Sequence, residues 1–134
     1  MELVDDLITP IPDDLIFEMI KAITHKEIKK SFKYLNDLYY HGESTQAILV
    51  LMYLNFRNIF MIQSYQTLSN TDIAGKTGMA IGQVYMGRDN INVYTLEQLI
   101  KIIKLIGNSY LYIPKGKIDQ SLVVNNIIIL INKL

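Results

Sequence analysis

Apolar residues recur along the chain every three to four positions, which is the spacing of one face of a helix. The first stripe follows Pro12-Asp13 and contains Leu15, Ile16, Met19, Ile20 and Ile23. A second stripe contains Ile28, Phe32, Leu35 and Tyr39. We expect Thr24 and Glu27 to form a capping box ahead of this second helix, and His41-Gly42 to end it.

A third helix is predicted to begin after the capping residue Ser44 and to be the longest, reaching about Leu68. Its first half, AILVLMYL, is apolar on all sides, which is typical of a helix surrounded by others. Two short helices are predicted next, near Asn70–Thr77 and Ala80–Asp89, and Gly78 joins them.

The last part of the chain predicts two further helices. Thr95-Leu96-Glu97-Gln98 forms a second capping box, and the inward face behind it contains Leu99, Ile102, Ile103 and Ile106. Interruptions are expected at Gly107, Asn108, Pro114 and Gly116, before a final helix that Asp119 or Ser121 would cap. The run Ile127 to Ile131 favours a strand by propensity. A lone strand would leave its backbone groups unpaired, so we predict a helix there.

These patterns predict an all-α fold, a compact helical bundle of about six to seven helices with short connections. We expect residues 1–12 to be a lead-in segment and residues 13–134 to form a single helical domain. The chain has 134 residues, of which 50% are hydrophobic and 19% charged, and this is enough apolar material for one packed core.

Composition and charge exclude several classes of function. Thirteen basic residues balance thirteen acidic ones, unlike a protein that coats nucleic acid through charge alone. The chain has no cysteine for thiol chemistry and only two histidines, too few for a usual zinc site. We therefore expect no catalytic site, no cofactor and no metal. The longest central apolar run, Ala47 to Leu54, is shorter than the roughly 18 residues that cross a bilayer, so we expect a cytoplasmic protein without membrane contact.

The segment from Thr71 to Tyr85, TDIAGKTGMAIGQVY, has the packing pattern of a helix-turn-helix. Ala74 allows close approach of two helices, Gly78 allows a tight turn, and Val84 locks the second helix onto the first. As a DNA reader the second helix would offer mainly Gln83, Tyr85 and Arg88 to the bases, with little positive charge for phosphates. A corner in a bundle is the favoured interpretation, and a small helix-turn-helix transcriptional regulator is the alternative.

The order of these elements resembles the C-terminal domain of the delta subunit of bacterial DNA polymerase III, part of the sliding-clamp loader. The matching features are an Ile-Phe-led first helix, a second helix ending at a glycine, a Phe-Arg pair in the long helix, the helix-turn-helix-like corner, and a lysine-glycine-aspartate turn before the last helix. They fall on Ile16-Phe17, Gly42, Phe56-Arg57, Ala74 to Val84, and Lys115, Gly116 and Asp119.

The resemblance implies a non-catalytic assembly role, as part of a collar formed with the loader's ATPase subunits and a delta-prime-type subunit. It implies contact with the sliding clamp only through an N-terminal module absent from this chain, and at most indirect contact with DNA. It also implies that the protein acts in nucleoid-associated replication machinery. Family-signature or inter-subunit residues would be Phe56, Arg57, Lys115, Gly116, Asp119, Leu122, Val123 and Asn126. The last helix is the expected interface, because its apolar residues exceed one face.

Overall fold

In the computed structural model, which describes residues 12–113, 115 and 117–134, the regular secondary structure is entirely helical. The α-helices are α1 Pro12–Thr24, α2 Ile28–Tyr40, α3 Thr45–Ser64, α4 Asn70–Thr77, α5 Ile81–Gly87, α6 Leu96–Leu111 and α7 Lys117–Asn132. A single 3₁₀ turn, Arg88–Asn90, follows α5 directly. The predicted all-α class and the predicted number of helices are confirmed.

Helix α3 is the centre of the bundle and contacts α1, α5, α6 and α7. Its side chains Met52 and Phe56 are fully buried, as are Ile48 and Leu49 in its first half. By length and composition α3 is the one helix of the described residues that could cross a bilayer. Its position among four other helices accounts for the apolar composition that the sequence shows.

Two groups of buried side chains hold the helices together. The main core is formed by α1, α2, α3, α6 and α7, and Leu35, Ile106 and Val124 are among its fully or almost fully buried members. A smaller core, which lies beneath the α4–α5 corner, consists of Ile62, Ile73, Met79 and Val84. The corner is therefore attached to the C-terminal end of α3 by a separate, smaller set of contacts.

Several predicted helix ends are confirmed in atomic detail. The Ser44 hydroxyl accepts a hydrogen bond from the Ala47 N–H at 3.1 Å, which caps α3. At the start of α6 the Thr95 hydroxyl accepts from the Gln98 N–H at 3.1 Å, and Gln98 Oε1 accepts from the Thr95 N–H at 2.9 Å. This reciprocal pair is the predicted capping box.

The capping box predicted at Thr24 and Glu27 is wrong. Thr24 is the last residue of α1, and its buried hydroxyl donates to the main-chain oxygen of Lys21 at 2.9 Å. Helix α2 begins at Ile28, and its N-cap residue Glu27 makes no side-chain capping hydrogen bond. Because Ile23 and Thr24 are both buried, the last helical turn of α1 packs against the core, and the chain changes direction only after Thr24.

Three other boundaries differ from the prediction. Helix α3 ends at Ser64 rather than near Leu68, because Arg88 binds the main-chain oxygens of Gln66 and Leu68 and holds that segment outside the helix. The predicted interruption at Gly107-Asn108 is wrong, since α6 continues through both residues to Leu111. The free energy gained by burying one face of α6 against α3 exceeds the roughly 1 kcal/mol that a glycine costs within a helix.

The start of the last helix also differs from the prediction. Helix α7 begins at Lys117, so Asp119 and Ser121 lie inside the helix and do not cap it. Gly116 and Pro114, which were expected to interrupt the chain here, lie outside the described residues. The run from Ile127 to Ile131 is helical, as predicted, and Ile127 and Ile131 are buried in the main core.

Candidate partner-binding surfaces

Helix α7 has apolar side chains on two opposite faces. Its inner face contributes Val124, Ile127, Ile128 and Ile131 to the main core. On the outer face Leu122, Ile129 and Leu130 keep 49%, 41% and 48% of their surface exposed, and Asn126 is exposed between them. We call Leu122, Asn126, Ile129 and Leu130 the α7 stripe. Their spacing places them on one helix face, as in a helix that packs against a second helix.

The other residues named from the sequence are scattered over the fold. Phe56 is fully buried in the main core, so it cannot contact a partner while the chain is folded. Arg57 and Lys115 are exposed, and Val123 is half-buried against the main core. Gly116 and the side chain of Asp119 lie outside the described residues.

An apolar groove of about 430 Å³ lies between the first half of α3 and the second half of α6. We call it the α3–α6 groove. It is lined by Leu49, Val50, Tyr53, Ile103, Lys104, Ile106, Gly107, Asn108, Tyr110 and Leu111. The groove was not predicted from the sequence. The first half of α3 is apolar on every side, and some of these apolar side chains, such as Val50 and Tyr53, remain exposed in the bundle. This excess of apolar residues is the sequence signal that could have indicated the groove.

A second cleft, of about 240 Å³, lies between α1, α3 and α5. Its lining is mixed: Phe17, Leu54 and Met86 are apolar, whereas Asn55 and Asn58 are polar. Within the described part of the chain, no three His, Cys, Asp or Glu side chains come close enough to hold a metal ion. The cleft therefore offers shape and hydrogen-bonding groups rather than a cluster of titratable groups.

The corner formed by α4 and α5 has the predicted helix-turn-helix geometry. Gly78 ends α4 in the left-handed conformation with φ of 77°, and its N–H donates to the main-chain oxygen of Ala74 at 2.9 Å. Val84 is fully buried in the smaller core and holds α5 against the end of α3. The packing roles predicted for Gly78 and Val84 are confirmed.

The geometry does not favour DNA reading by this corner. The Arg88 guanidinium donates to the main-chain oxygens of Leu68 at 2.7 Å and Gln66 at 3.2 Å, and to Asn70 Oδ1. Arg88 is thus held within the protein rather than presented to bases. Gln83 Oε1 accepts from the Ala80 N–H at 3.3 Å, while Tyr85 is exposed. Helix α5 itself, IGQVYMG, carries no charged residue that could bind phosphates.

Among the described residues, two titratable groups have perturbed pKa values, and both belong to the architecture rather than to a reactive site. Burial raises the pKa of Tyr94 to about 12, and its hydroxyl has no hydrogen-bond partner among the described residues. The hydrogen bond and ion pair with Glu27, at 3.0 Å, raise the pKa of the exposed Lys30. Neither residue is among those that line the two clefts.

Comparison with known proteins gives one family. A family model described as "DNA polymerase III delta subunit, C-terminal domain" matches residues 13–131. Among solved structures, the Bacillus subtilis DNA clamp loader delta protein (YqeN) is similar, with a TM-score of 0.88, 22% sequence identity and 98% of this chain covered. At 22% sequence identity, this structural similarity shows a shared fold. This chain spans 39% of the length of that protein. No curated protein sequence matches this chain significantly.

Proposed function

Because the chain belongs to the family defined by the C-terminal domain of the DNA polymerase III delta subunit, we propose that it is the oligomerisation, or collar, domain of a bacterial clamp loader. In this role it packs against the loader's ATPase subunits and a delta-prime-type subunit, so that the complex can load the sliding clamp on DNA. The domain is non-catalytic and acts in the cytoplasm. Contact with the clamp and with DNA belongs to other parts of the loader.

The α7 stripe is the observation that carries this proposal. Leu122, Ile129 and Leu130 are large apolar side chains on one face, and each keeps at least two fifths of its surface exposed. Covering such side chains contributes roughly 25 cal/mol per Å² of apolar surface removed from water. Because the opposite face of α7 belongs to the main core, a protein bound to the stripe would contact a helix that is itself packed into that core.

The charge of the chain supports a protein partner over a nucleic-acid partner. Basic and acidic residues are equal in number, and the helix that would read DNA bases has no charged side chain. Apolar and aromatic surface with few charges is typical of the centre of a protein–protein interface.

Co-migration on size exclusion with the purified ATPase and delta-prime-type subunits of the same organism tests the proposal. We expect the chain to elute with these subunits, and we expect the double variant L122D/L130D to elute alone. Ile100→Asp, a matched change at an exposed apolar residue on α6, is expected to leave co-elution intact. Circular dichroism of each variant checks that the fold is retained.

Two results would contradict the proposal. One is that the chain ignores every loader subunit at micromolar concentration. The other is that it binds a short DNA duplex tightly, with steep salt dependence, and loses that binding in the Gln83→Ala variant. The second result would support the regulator alternative.

A further inference from the structure

We infer that the α3–α6 groove is a docking site for an acidic amphipathic helix of a partner protein. This inference goes beyond the proposed function, since it names a different surface from the α7 stripe and a specific chemistry for the occupant. It does not require that the partner be a loader subunit.

The shape of the groove suits a helix. Residues 49–53 of α3 lie opposite residues 103–111 of α6, whereas Gln63 at the other end of α3 hydrogen-bonds the main-chain oxygen of Tyr94, just before α6. The two helices therefore run antiparallel. Leu49 and Ile106 are fully buried at the floor, while Val50, Tyr53, Tyr110 and Leu111 are exposed at the rim. An apolar trough between two helices is the usual receptor for the apolar face of a third.

Gly107 indicates that the groove is kept open. A glycine within a helix costs roughly 1 kcal/mol relative to alanine, so its presence needs a reason. The described part of the fold supplies none: Gly107 has no positive φ, and a Cβ there would meet only Tyr53 Cε2 among the described atoms, at 4.0 Å, which is ordinary van der Waals contact. Because Gly107 lines the groove, the missing side chain leaves space there for an incoming residue.

Charge indicates the character of the occupant. Among the residues that the structure describes, Lys104 is the only charged one that lines the groove, and no acidic one does. Lys104 is exposed and forms no salt bridge within the described part of the chain. Lys101, one turn earlier on α6, is also exposed. A helix that places apolar residues in the trough and a carboxylate toward Lys104 is therefore electrostatically complementary, whereas a basic helix is not.

Two synthetic helical peptides of about 15 residues provide the probes. Both carry leucines at i, i+4, i+7 and i+11, and they differ only in having glutamate or lysine at the flanking positions. Fluorescence anisotropy measures affinity, and NMR chemical shifts of the intact chain locate the site. We expect the glutamate peptide to bind more tightly, with shifts at Val50, Tyr53 and Leu111. The Lys104→Glu variant is expected to show the reverse preference and to bind the lysine peptide more tightly than the glutamate peptide.

A pair of glycine variants separates groove binding from effects on folding. Gly107→Ala is expected to weaken binding of the glutamate peptide about fivefold to tenfold, because a methyl group occupies space that the ligand needs. Gly75→Ala, the same change within α4 with no atom of the described residues within 4 Å of the new Cβ, is expected to leave binding unchanged. Both variants are expected to unfold at equal or higher temperature than the parent chain.

Any one of three results would overturn the inference. The first is that neither peptide binds, and the second is that the NMR chemical-shift changes are confined to another face of the chain. The third is that the Gly107→Ala variant binds the glutamate peptide as tightly as the parent chain does. None of these results bears on the α7 stripe, because no loader protein takes part in the measurement. Loss of co-elution in L122D/L130D with unchanged peptide binding would likewise leave the groove assignment intact.

Discussion

Tyr94 places its side-chain hydroxyl in the main core. The residue is almost fully buried, and its hydroxyl makes no hydrogen bond with any described residue. Its main-chain oxygen accepts from Gln63 Nε2 at 2.9 Å, which ties the segment before α6 to the end of α3. The main-chain oxygen of Tyr94 thus has a hydrogen-bond partner, while its side-chain hydroxyl has none among the described residues. An unpaired buried polar group costs about 1–3 kcal/mol.

We therefore predict that Tyr94→Phe raises the free energy of unfolding by about 1 kcal/mol, since it keeps the ring and removes the unpaired hydroxyl. The pH dependence provides a second readout. An unfolded tyrosine ionises near pH 10, whereas the folded residue stays protonated up to about pH 12. Ionisation is therefore easier in the unfolded chain, so the titration of this group does not affect the free energy of unfolding below pH 10 and lowers it as the pH rises from 10 to 12.

Urea titrations at pH 8 and pH 11 measure both effects. The variant is expected to lose less stability than the parent chain between the two pH values. An equal loss in the two proteins, or a variant less stable at pH 8, would contradict the assignment of an unpaired hydroxyl to Tyr94.

At the scale of elements, Arg88 determines where α3 ends and how α4 begins. Its guanidinium binds main-chain oxygens of the α3–α4 connection and the side chain of Asn70, the first residue of α4. Hydrogen bonds from a charged donor contribute about 1.5–3 kcal/mol each in favourable settings. Only the alternative, DNA-reading interpretation of the sequence placed the same arginine on a base-reading surface, because a motif shows which residues a helix contains but not what lies opposite them.

We predict that Arg88→Met lowers the free energy of unfolding by about 2 kcal/mol, because the aliphatic stem remains but the guanidinium is lost. Urea denaturation measures the change. Arg57→Met, the same substitution at an exposed position of α3, serves as the control and is expected to stay within about 0.5 kcal/mol of the parent chain. A similar small effect for both variants would show that the Arg88 contacts contribute little in solution.

At the scale of the whole molecule, stability is distributed unevenly between the two cores. Counted over the described residues, the smaller core beneath the α4–α5 corner has four buried residues, whereas the main core joins five helices. A region with few buried contacts opens at a lower free energy than the rest of a fold.

Amide hydrogen exchange is expected to show the α4–α5 corner opening before α3, α6 and α7. Val84→Ala should accelerate exchange in the corner by tenfold or more while leaving α6 nearly unchanged, because the cavity it creates costs on the order of 2 kcal/mol locally. Ile106→Ala should accelerate exchange throughout the main core. Uniform acceleration by both variants would instead indicate one cooperative unit.

Much of the fold could be predicted from the sequence, but less of the candidate surfaces. The apolar spacing of Leu99, Ile102 and Ile106 identified the buried face of α6, and Thr95 and Gln98 identified its start. The last helix was expected to form the interface, and the exposed Leu122 and Leu130 are consistent with that prediction, which remains to be tested. The α3–α6 groove was not foreseen, although Val50, Tyr53 and Gly107 were all visible in the sequence.

The sequence alone determined the helical class, the order of the helices and most of their starting points, because periodic burial and capping act between residues three or four positions apart. The tertiary structure decided how far α1 and α6 continue, what Arg88 binds and which apolar faces stay uncovered. Each of these depends on how segments far apart in the chain pack together, such as residues 50 and 107, which line the same groove, or residues 68 and 88, which are hydrogen-bonded. Local patterns carry no information about those distances, so only the packed bundle shows which surfaces remain for a partner.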